Sequence, residues 1–523
     1  VAARPAGIAA AYHWCRLTMP GDGFRASLSW LHTWAGVLLG GLLLAVFWSG
    51  SLVVFDREID RWMLPSTRLG SPPVDLSLDR LVVPHAQRLA GTAARWSITL
   101  PSERTPVIQL EFPNAEGVST RRFIDPANGE LLPDHGSWAA TGFLFPFHYS
   151  LHLRWRNVGY WLLGIAGMGM LLLLVSGVVI HRKIIREFFT FRPHKSTQRA
   201  TLDLHNLTGV VALPFHFLIS LSGLIIFFAI YFPTVIERIY PRNSAAFSTE
   251  AFGNYTRQPS AEPATLASLD AMRDRAREAW GDEPYMLRVW HPGDAQAYVE
   301  VRRSFARQVT MNVDRMTFDG SSGALLLDHR TGPVAAIQRF FSGLHFVQFE
   351  HWTLRWLYFL GGLSGWVMIA TGLLFWTGAR RARHQRNGHT GAHLLDAICV
   401  CSCSGLILAT LGFFIANRAL PADLGRFEID RAALEGWAFF LIWASTLVHA
   451  LIRGAGAWHG QLLAIGGAAP TAVLLNWLTT GDHLLHSLQQ GRDAVAGMDL
   501  LLMLLALLAL ATARRLNRGI ANG

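Results

Sequence analysis

The sequence predicts a mainly α-helical polytopic membrane protein of about eight transmembrane helices, with two small α/β modules outside the membrane. Hydrophobic residues make up 51% of the 523 residues, and charged residues only 16%. Several apolar runs reach the length of about 20 residues that a helix needs to cross a bilayer. Basic residues cluster beside these runs, which is the pattern of cytoplasmic loops. The net charge of +10 therefore indicates membrane topology rather than a nucleic-acid partner.

Eight apolar segments account for the predicted spans, at residues 27–55, 158–180, 202–232, 354–376, 394–416, 434–451, 461–478 and 496–513. Basic residues dominate the loops after the second and fourth spans and the tail after the last span. They are Arg182, Lys183, Arg186, Arg192, Lys195, Arg199, Arg380, Arg381, Arg383, Arg386, Arg514, Arg515 and Arg518. All these segments fall on one side of an eight-span protein, so we expect both termini in the cytoplasm.

The two long segments between spans are expected to fold outside the membrane, each as a helix followed by strands. The expected helices cover residues 78–90 and 266–280, and the expected strands cover residues 96–100, 107–112, 120–124, 285–290, 297–301 and 309–313. The chain then divides into an N-terminal part with the first span (1–55), the first module (56–157), spans two and three (158–236), the second module (237–353), the fourth span (354–383) and a C-terminal four-helix membrane segment (384–523).

The chain up to about residue 383 contains an internal duplication, whose unit is a span, an outside module and a second span. A Leu-His-x-x-x-Gly motif opens the first span at residues 31–36 and the third span at residues 204–209. Ser-Gly at 49–50 recurs at 222–223, Asp-x-x-x-Gly at 125–129 recurs at 319–323, Leu-His at 151–152 recurs at 344–345, and Ser-Gly at 176–177 recurs as Thr-Gly at 371–372. The two halves are therefore expected to share one architecture.

Two histidines, His205 and His216, lie inside the third apolar run. In a straight helix, eleven residues of about 100° each return the two side chains to one face, within about 20° of each other. They would then be about 16 Å apart along the axis. Ionisable side chains inside a membrane are costly and usually face a bundle interior, where they have a function. The spacing suggests two haem sites, one in each leaflet; the alternative is that each histidine is a hydrogen-bonded packing residue.

The duplication matches the other candidate histidines at equivalent positions of the two halves. His32 corresponds to His205, and both are expected near the cytoplasmic face. His152 corresponds to His345, just before an inward-running span at the outer face. The counterpart of His216 is a leucine, so the two halves have diverged. We therefore expect an asymmetric bundle with an inner and an outer site.

The four cysteines, Cys15, Cys399, Cys401 and Cys403, all fall outside the segments expected beyond the membrane, so they predict no disulfide framework. The last three lie at the start of an apolar helix. Helical spacing places Cys399 and Cys403 on one face and Cys401 on another. Packing between helices is the favoured role, with metal binding or redox chemistry as the alternative.

The repeated motifs resemble those of the PepSY-associated transmembrane proteins, a family of bacterial inner-membrane proteins linked to iron uptake. The Leu-His-x-x-x-Gly motifs, the Asp-x-x-x-Gly hairpins and the Leu-His pairs carry this resemblance, which covers about residues 27–383. It implies two PepSY-like modules in the periplasm, a location in the bacterial inner (cytoplasmic) membrane, and an oxidoreductase activity. Family members with this arrangement are regarded as haem-dependent reductases of ferric siderophores. The final four-helix segment lies outside the resemblance.

The resemblance also implies two haem b groups and a set of ligands, whose pairing stays open. The candidate ligands are His32, His205 and His181 for the inner haem, and His216 with His152 or His345 for the outer haem. The implied partners are a ferric siderophore, the lipid bilayer and an electron donor, but no nucleic acid. The donor would be a quinol or a cytoplasmic reductase, because no Gly-x-Gly-x-x-Gly motif follows a predicted strand. A homo-dimer is left open.

Two other functions are compatible with the same sequence. The first is a non-redox membrane regulator, in which PepSY-like modules bind or inhibit another protein and the intramembrane histidines are structural. The second is a transporter of iron, haem or a chelate, whose two repeats would move around a site at mid-membrane. Bound haem that turns over with a reductant separates the reductase from both alternatives.

Overall fold

The computed structural model describes residues 23–521, except residues 74, 115, 182–183, 185, 187–188, 387–389, 423 and 425–428. Of the residues singled out above, Cys15, Arg182 and Lys183 lie outside this described part. So do the side chains of Arg381, Arg383, Arg386 and Arg518.

The described chain is mainly helical. Its helices are α1 Phe24–Val53, α2 Asp56–Met63, α3 Leu78–Leu81, α4 Val83–Ala90, α5 Phe145–Ser150, α6 Val158–Ile180, α7 Thr197–Val211, α8 Leu213–Ile226, α9 Phe228–Tyr231, α10 Pro233–Ile239, α11 Ser244–Phe252, α12 Leu269–Trp280, α13 Pro333–Phe346, α14 Trp352–Arg386, α15 Thr390–Val400, α16 Leu406–Ala419, α17 Arg431–Arg453, α18 Ala457–Thr480, α19 Leu484–Gln489 and α20 Asp493–Ala521. Six helical stretches of the described chain are long and apolar enough to cross a membrane, or seven if one bent pair of helices counts as a span.

One of these stretches, residues 431–480, folds back on itself. Gln461 Nε2 donates a hydrogen bond to the carbonyl oxygen of Thr446 at 2.9 Å. In a continuous helix these residues would lie about 22 Å apart. The turn falls at Gly454, whose φ of 55° suits a glycine. Helices α17 and α18 therefore form a hairpin of two long helices.

The third apolar run is not one straight helix. Helices α7 and α8 meet at an angle of 68°. The break lies at Ala212, two residues before Pro214. Proline has no backbone N–H to donate and its ring clashes with the preceding turn, so it bends or ends a helix. The expectation that His205 and His216 share one face of a straight helix is therefore wrong.

The strands of both outside segments join in one antiparallel sheet. The strands are β1 Arg95–Thr99, β2 Ile108–Pro113, β3 Ser119–Ile124, β4 Pro284–Trp290, β5 Tyr298–Arg303, β6 Arg315–Asp319 and β7 Leu325–His329. Their order is β3-β2-β1-β4-β5-β6-β7, so that β1 of the first segment pairs with β4 of the second. The two segments therefore share a single seven-stranded sheet, and they are not two separate modules.

Five of the six predicted strands are confirmed, and the one at residues 309–313 is wrong. Its residues instead contact α13: Met311 N donates to Arg339 O at 3.2 Å, and the carbonyl of Val309 lies against Gly343. The strand follows at Arg315–Asp319, and β7 was not predicted.

The C-terminal helices pack against α1 and α2. Trp62 Nε1 donates to Asp499 Oδ1 at 2.8 Å, and Arg68 is paired with Asp482 at 2.6 Å. Within α15 and the π-helical turn Cys401–Gly405, Cys399 and Cys403 belong to the apolar cluster around α1 and α6. Cys401 instead contacts Trp443 O of α17 at 3.7 Å. The predicted division of the cysteines between two faces is confirmed.

Candidate functional site

His32 of α1 and His205 of α7 face each other, with ring centres 6.3 Å apart and ring planes at 81°. Both line a cavity of about 540 Å³ between α1, α6, α7 and α14. His181, at the end of α6, lines the same cavity. The structure thus brings together the three histidines that were expected at the inner site. The other polar side chains in the wall include those of Thr33, Asn206 and Arg380.

Each ring of this inner pair is held through its Nδ1 atom. His205 Nδ1 lies 2.7 Å from the carbonyl oxygen of Met368, which can only accept, so Nδ1 carries the proton. His32 Nδ1 lies 3.0 Å from Ser176 Oγ, which itself donates to Leu173 O. A ring held in this way keeps the lone pair of Nε2 free for a metal.

A second pair forms at the other end of α1. His148 of α5 and His345 of α13 have ring centres 6.0 Å apart and ring planes at 24°. Both line a narrower, mostly apolar cavity of about 150 Å³. The walls of both cavities include Leu43 and Met170, so these two side chains lie between the sites.

The rings of this outer pair are held in the same way as the inner rings. His148 Nδ1 donates to Val46 O at 3.1 Å, and His345 Nδ1 donates to Ile219 O at 3.0 Å. Ser49 Oγ and Ser222 Oγ lie 3.4 and 3.2 Å from the same nitrogens. Val46 lies 14 positions after His32, so the two pairs are about 21 Å apart along α1.

Each of these four rings packs against one of the four Ser-Gly or Thr-Gly pairs of the duplication. The glycine leaves room for the imidazole: a Cβ on Gly50 would lie 2.7 Å from His148 Cε1, and one on Gly223 would lie 2.9 Å from His345 Cε1. A Cβ on Gly372 would lie 2.9 Å from His205 Nδ1, and one on Gly177 would lie 3.3 Å from His32 Cε1. The repeated motif was visible in the sequence, but its partner side chain was not.

The spacing of each pair suits two imidazoles that would bind one metal between them. Two metal–nitrogen bonds of about 2 Å, plus about 1.1 Å from each nitrogen to its ring centre, separate the centres by about 6 Å. In the described part of the chain, no group of three or more His, Cys, Asp or Glu side chains could hold a metal ion. Two protein ligands suit an iron whose other positions are filled by a macrocycle, as in haem. The residues present therefore fit a haem at each pair.

Two histidines expected at the outer site lie elsewhere. His152 Nε2 donates to Phe143 O at 2.9 Å, and its ring stacks on Phe143. The cause is local: α5 ends at Ser150, and the positive φ of the next two residues turns His152 away. The ring opposite His345 belongs instead to His148, one helical turn earlier.

His216 is buried at mid-bundle and lines neither cavity. Its Nε2 lies 3.1 Å from Ser364 Oγ and 3.3 Å from Gly361 O. Ser364 Oγ donates to Gly361 O, so Nε2 of His216 is the donor to the hydroxyl. Its Nδ1 has no hydrogen-bond partner among the described residues. The bend between α7 and α8 carries His216 away from the face that holds His205.

The comparisons with known proteins agree with the motifs. The chain matches the family described as the PepSY-associated TM region over residues 29–379. This range includes all four paired histidines and ends before the C-terminal helices. The chain is also similar to an uncharacterized protein of Pseudomonas aeruginosa, with 28% identity over 384 residues. That similarity covers 70% of this chain and 92% of the Pseudomonas protein.

Proposed function

Because the chain belongs to the PepSY-associated transmembrane family, we propose that it is a membrane reductase with two haem b groups. It would pass electrons across the bacterial inner membrane to a ferric siderophore in the periplasm and release ferrous iron. One observation carries the proposal: two pairs of imidazoles, held through Nδ1, lie near opposite ends of one membrane-spanning helix. Each pair takes one ring from each half of the duplication.

The proposed topology has eight crossings with both termini in the cytoplasm. Support comes from the bent pair α7 and α8 as one crossing, and from the hairpin that makes α17 and α18 two crossings. The basic residues beside the second, fourth and last spans then fall on the inner side. The seven-stranded sheet and its helices lie in the periplasm.

Bound haem would supply one-electron transfer across an apolar slab of about 30 Å, which no side chain can cross alone. The chain supplies the positions: His32 and His205 would hold the inner group, and His148 and His345 would hold the outer one. Backbone carbonyls and a serine hydroxyl hold each ring through Nδ1, so that Nε2 would be left to bind the iron. The mostly apolar walls favour a low local dielectric, which would tune the reduction potential.

The inner cavity is where electrons would enter. Its wall carries His181, Asn206 and Arg380 beside the two ring ligands. Arg380 lies over the ring of Trp376 at 4.5 Å from its centre. These polar groups suit the propionate carboxylates of a haem near the cytoplasmic surface. The donor would be a quinol or a separate cytoplasmic reductase.

Anaerobic single-turnover experiments test the activity. Detergent-purified protein is reduced with half a mole of dithionite per haem, which supplies one electron for each iron, and ferric citrate is then added with a chelator that colours only with Fe²⁺. We expect reoxidation of the protein and one Fe²⁺ for each electron lost. The His148→Ala variant should reoxidise at least about tenfold more slowly, since its outer site is broken. A wild-type protein that stays reduced would overturn the proposed activity.

A further inference from the structure

The seven-stranded sheet has one face covered by helices and one face that is strongly basic. Alternate residues of the central strands, such as Ile98, Leu287 and Val301, pack against α3, α4 and α12. Successive side chains of a strand point to opposite faces, so their neighbours project to the other side. Register places Ser97, Arg288, Glu300 and Thr317 in one row across β1, β4, β5 and β6.

Three guanidinium groups of this face surround one buried carboxylate. Arg315 Nη1 lies 3.3 Å from Glu300 Oε1, and Arg302 Nη2 lies 3.4 Å from Glu300 Oε2. Arg288 Nη1 lies 4.0 Å from the same Oε2 atom. The side chain of Glu300 is only 4% exposed. One carboxylate cannot balance three guanidinium groups, so the cluster keeps an excess of positive charge.

The same cluster contains buried donors without acceptors. Arg315 Nε, Arg302 Nε, Thr317 Oγ1 and Trp290 Nε1 have no hydrogen-bond partner among the described residues. The side chain of Arg315 is only 5% exposed. Burial and the nearby charge of Arg302 lower the pKa of Arg288 and of Arg315. Buried polar groups are normally hydrogen-bonded, so a cluster of buried donors without an acceptor calls for an explanation.

An aromatic ring and solvent access complete the arrangement. The ring of Trp290 lies against Arg95 at 5.1 Å and Arg288 at 5.9 Å, and it stacks on Tyr298. The side chains of Arg288 and Arg302 are 27% and 25% exposed, so an anion can reach the cluster from solvent. Arginine over aromatic rings, with free N–H groups at the edge, is a common platform for carboxylate oxygens.

The basic face also lies near the outer ends of the spans. The loop that joins β5 to β6 begins directly after Arg303 and ends before Arg315. In this loop, Ala306 O accepts from Glu350 N at 3.0 Å, and Met311 N donates to Arg339 O. Arg302 and Arg315 are paired across the strands at this end of the sheet. The cluster is therefore beside the end of the bundle that carries His148 and His345.

We propose that the cluster around Glu300 is an anion-binding site for the carboxylate or phenolate oxygens of an iron chelate. This assignment rests on the proposed function, and it specifies the class of substrate: a ferric chelate with net negative charge. Arg288, Arg302 and Arg315 supply charge-assisted hydrogen bonds, and Thr317 and Trp290 supply neutral donors. The carboxylate of Glu300 holds the three guanidinium groups in place.

Calorimetric binding of gallium(III) citrate tests this site without any redox step, because gallium(III) is not reduced. We expect the Arg288→Gln and Arg302→Gln variants to bind at least about tenfold more weakly than the wild type. Raising the salt concentration should weaken wild-type binding, since partly exposed charges are screened. The Arg275→Gln variant, which removes an exposed charge from α12, should bind as the wild type does.

The Glu300→Gln variant provides a second readout with the opposite sign. It keeps the shape of the side chain but removes the competing carboxylate, so it should bind gallium(III) citrate more tightly. Equal affinity in the wild type, Arg288→Gln and Arg302→Gln, or no wild-type binding, would overturn the site. Inorganic phosphate that binds as tightly as gallium(III) citrate would overturn its assignment to a chelate. A protein that contains haem but does not bind the chelate contradicts this inference alone, whereas a colourless protein that binds it contradicts the proposed function alone.

Discussion

His148 and His345 lie opposite each other with ring centres 6.0 Å apart, and each belongs to a different half of the duplicated chain. His32 and His205 repeat this relationship near the N-terminal end of α1. In each pair, one ring comes from each half, and each ring packs against a Ser-Gly or Thr-Gly pair of its own half. Each site therefore forms only where the two halves meet, because neither half alone supplies both rings.

The first prediction separates His148 from its neighbour His152. The His148→Ala variant should lose about half of its haem, because the outer iron would keep one axial ligand. The His152→Ala variant should keep both haems, because its ring packs on Phe143 outside the cavity. Pyridine haemochrome assays of both purified variants measure this difference. Loss of haem from His152→Ala and not from His148→Ala would contradict the assigned pair.

The second prediction concerns the glycine beside an inner ligand. A Cβ at Gly372 would lie 2.9 Å from His205 Nδ1, so the Gly372→Ala variant should push the ring from its position. Overpacking of this kind typically costs about 1–3 kcal/mol. We expect a shifted Soret band and partial loss of the inner haem in absorption spectra. The matched control is Gly467→Ala in α18, where a new Cβ meets nothing within 4 Å.

The third prediction concerns His216, which lines neither cavity. The His216→Ala variant should keep two haems, contrary to the expectation from sequence spacing. It should nevertheless unfold at lower temperature, because the loss of a buried side chain leaves a cavity that costs about 2 kcal/mol or more. The haem content and the thermal unfolding midpoint in detergent check both parts. A variant that lacks one haem would return His216 to the set of ligands.

The fourth prediction concerns the acid stability of the ion pairs at the C-terminal end of α1. Burial alone would raise the pKa of Glu58, but the charges and hydrogen bonds of Arg104 and Arg355 lower it to about 2. A lowered folded-state pKa stabilises the fold above the unfolded value of 4.5, and this contribution is lost as the pH falls toward 2. The contribution at neutral pH has an upper limit of about 3 kcal/mol.

Thermal unfolding of wild type and Glu58→Gln between pH 2 and pH 7 measures this contribution. The variant should be less stable at neutral pH, and the difference should shrink below pH 4.5. The Glu130→Gln control, in an exposed turn, should follow the wild-type curve. A difference that stays constant across this pH range would contradict the assigned ion pairs.

The apolar pattern was enough to predict most of the long helices and five of the strands. Helix α6 has the predicted bounds, because a continuous apolar run flanked by polar residues leaves few alternatives. The bend before Pro214 was missed, because the run of apolar residues continues through it. The pairing of β1 with β4 joins residues nearly two hundred positions apart, and no local pattern encodes such a contact.

The site was predicted only in part, because the sequence motifs show which histidines are equivalent but not which rings enter a cavity. His32 and His205 occupy equivalent positions of a repeated motif, so their pairing could be expected. His148 was passed over because His152 matches the Leu-His of the second half more closely. Only the left-handed backbone at Leu151 and His152 decides which ring enters the cavity. The role of the Ser-Gly and Thr-Gly pairs required the contacts between sequence-distant helices of each half.

The absorption difference between dithionite-reduced and air-oxidised protein, with a haemochrome count, tests the central claim most directly. The protein should be made in haem-replete cells and purified in detergent. We predict sharp reduced α and Soret bands and about two haems for each chain, one for each imidazole pair. A colourless protein would contradict the reductase, and would favour a membrane regulator or a transporter with structural histidines.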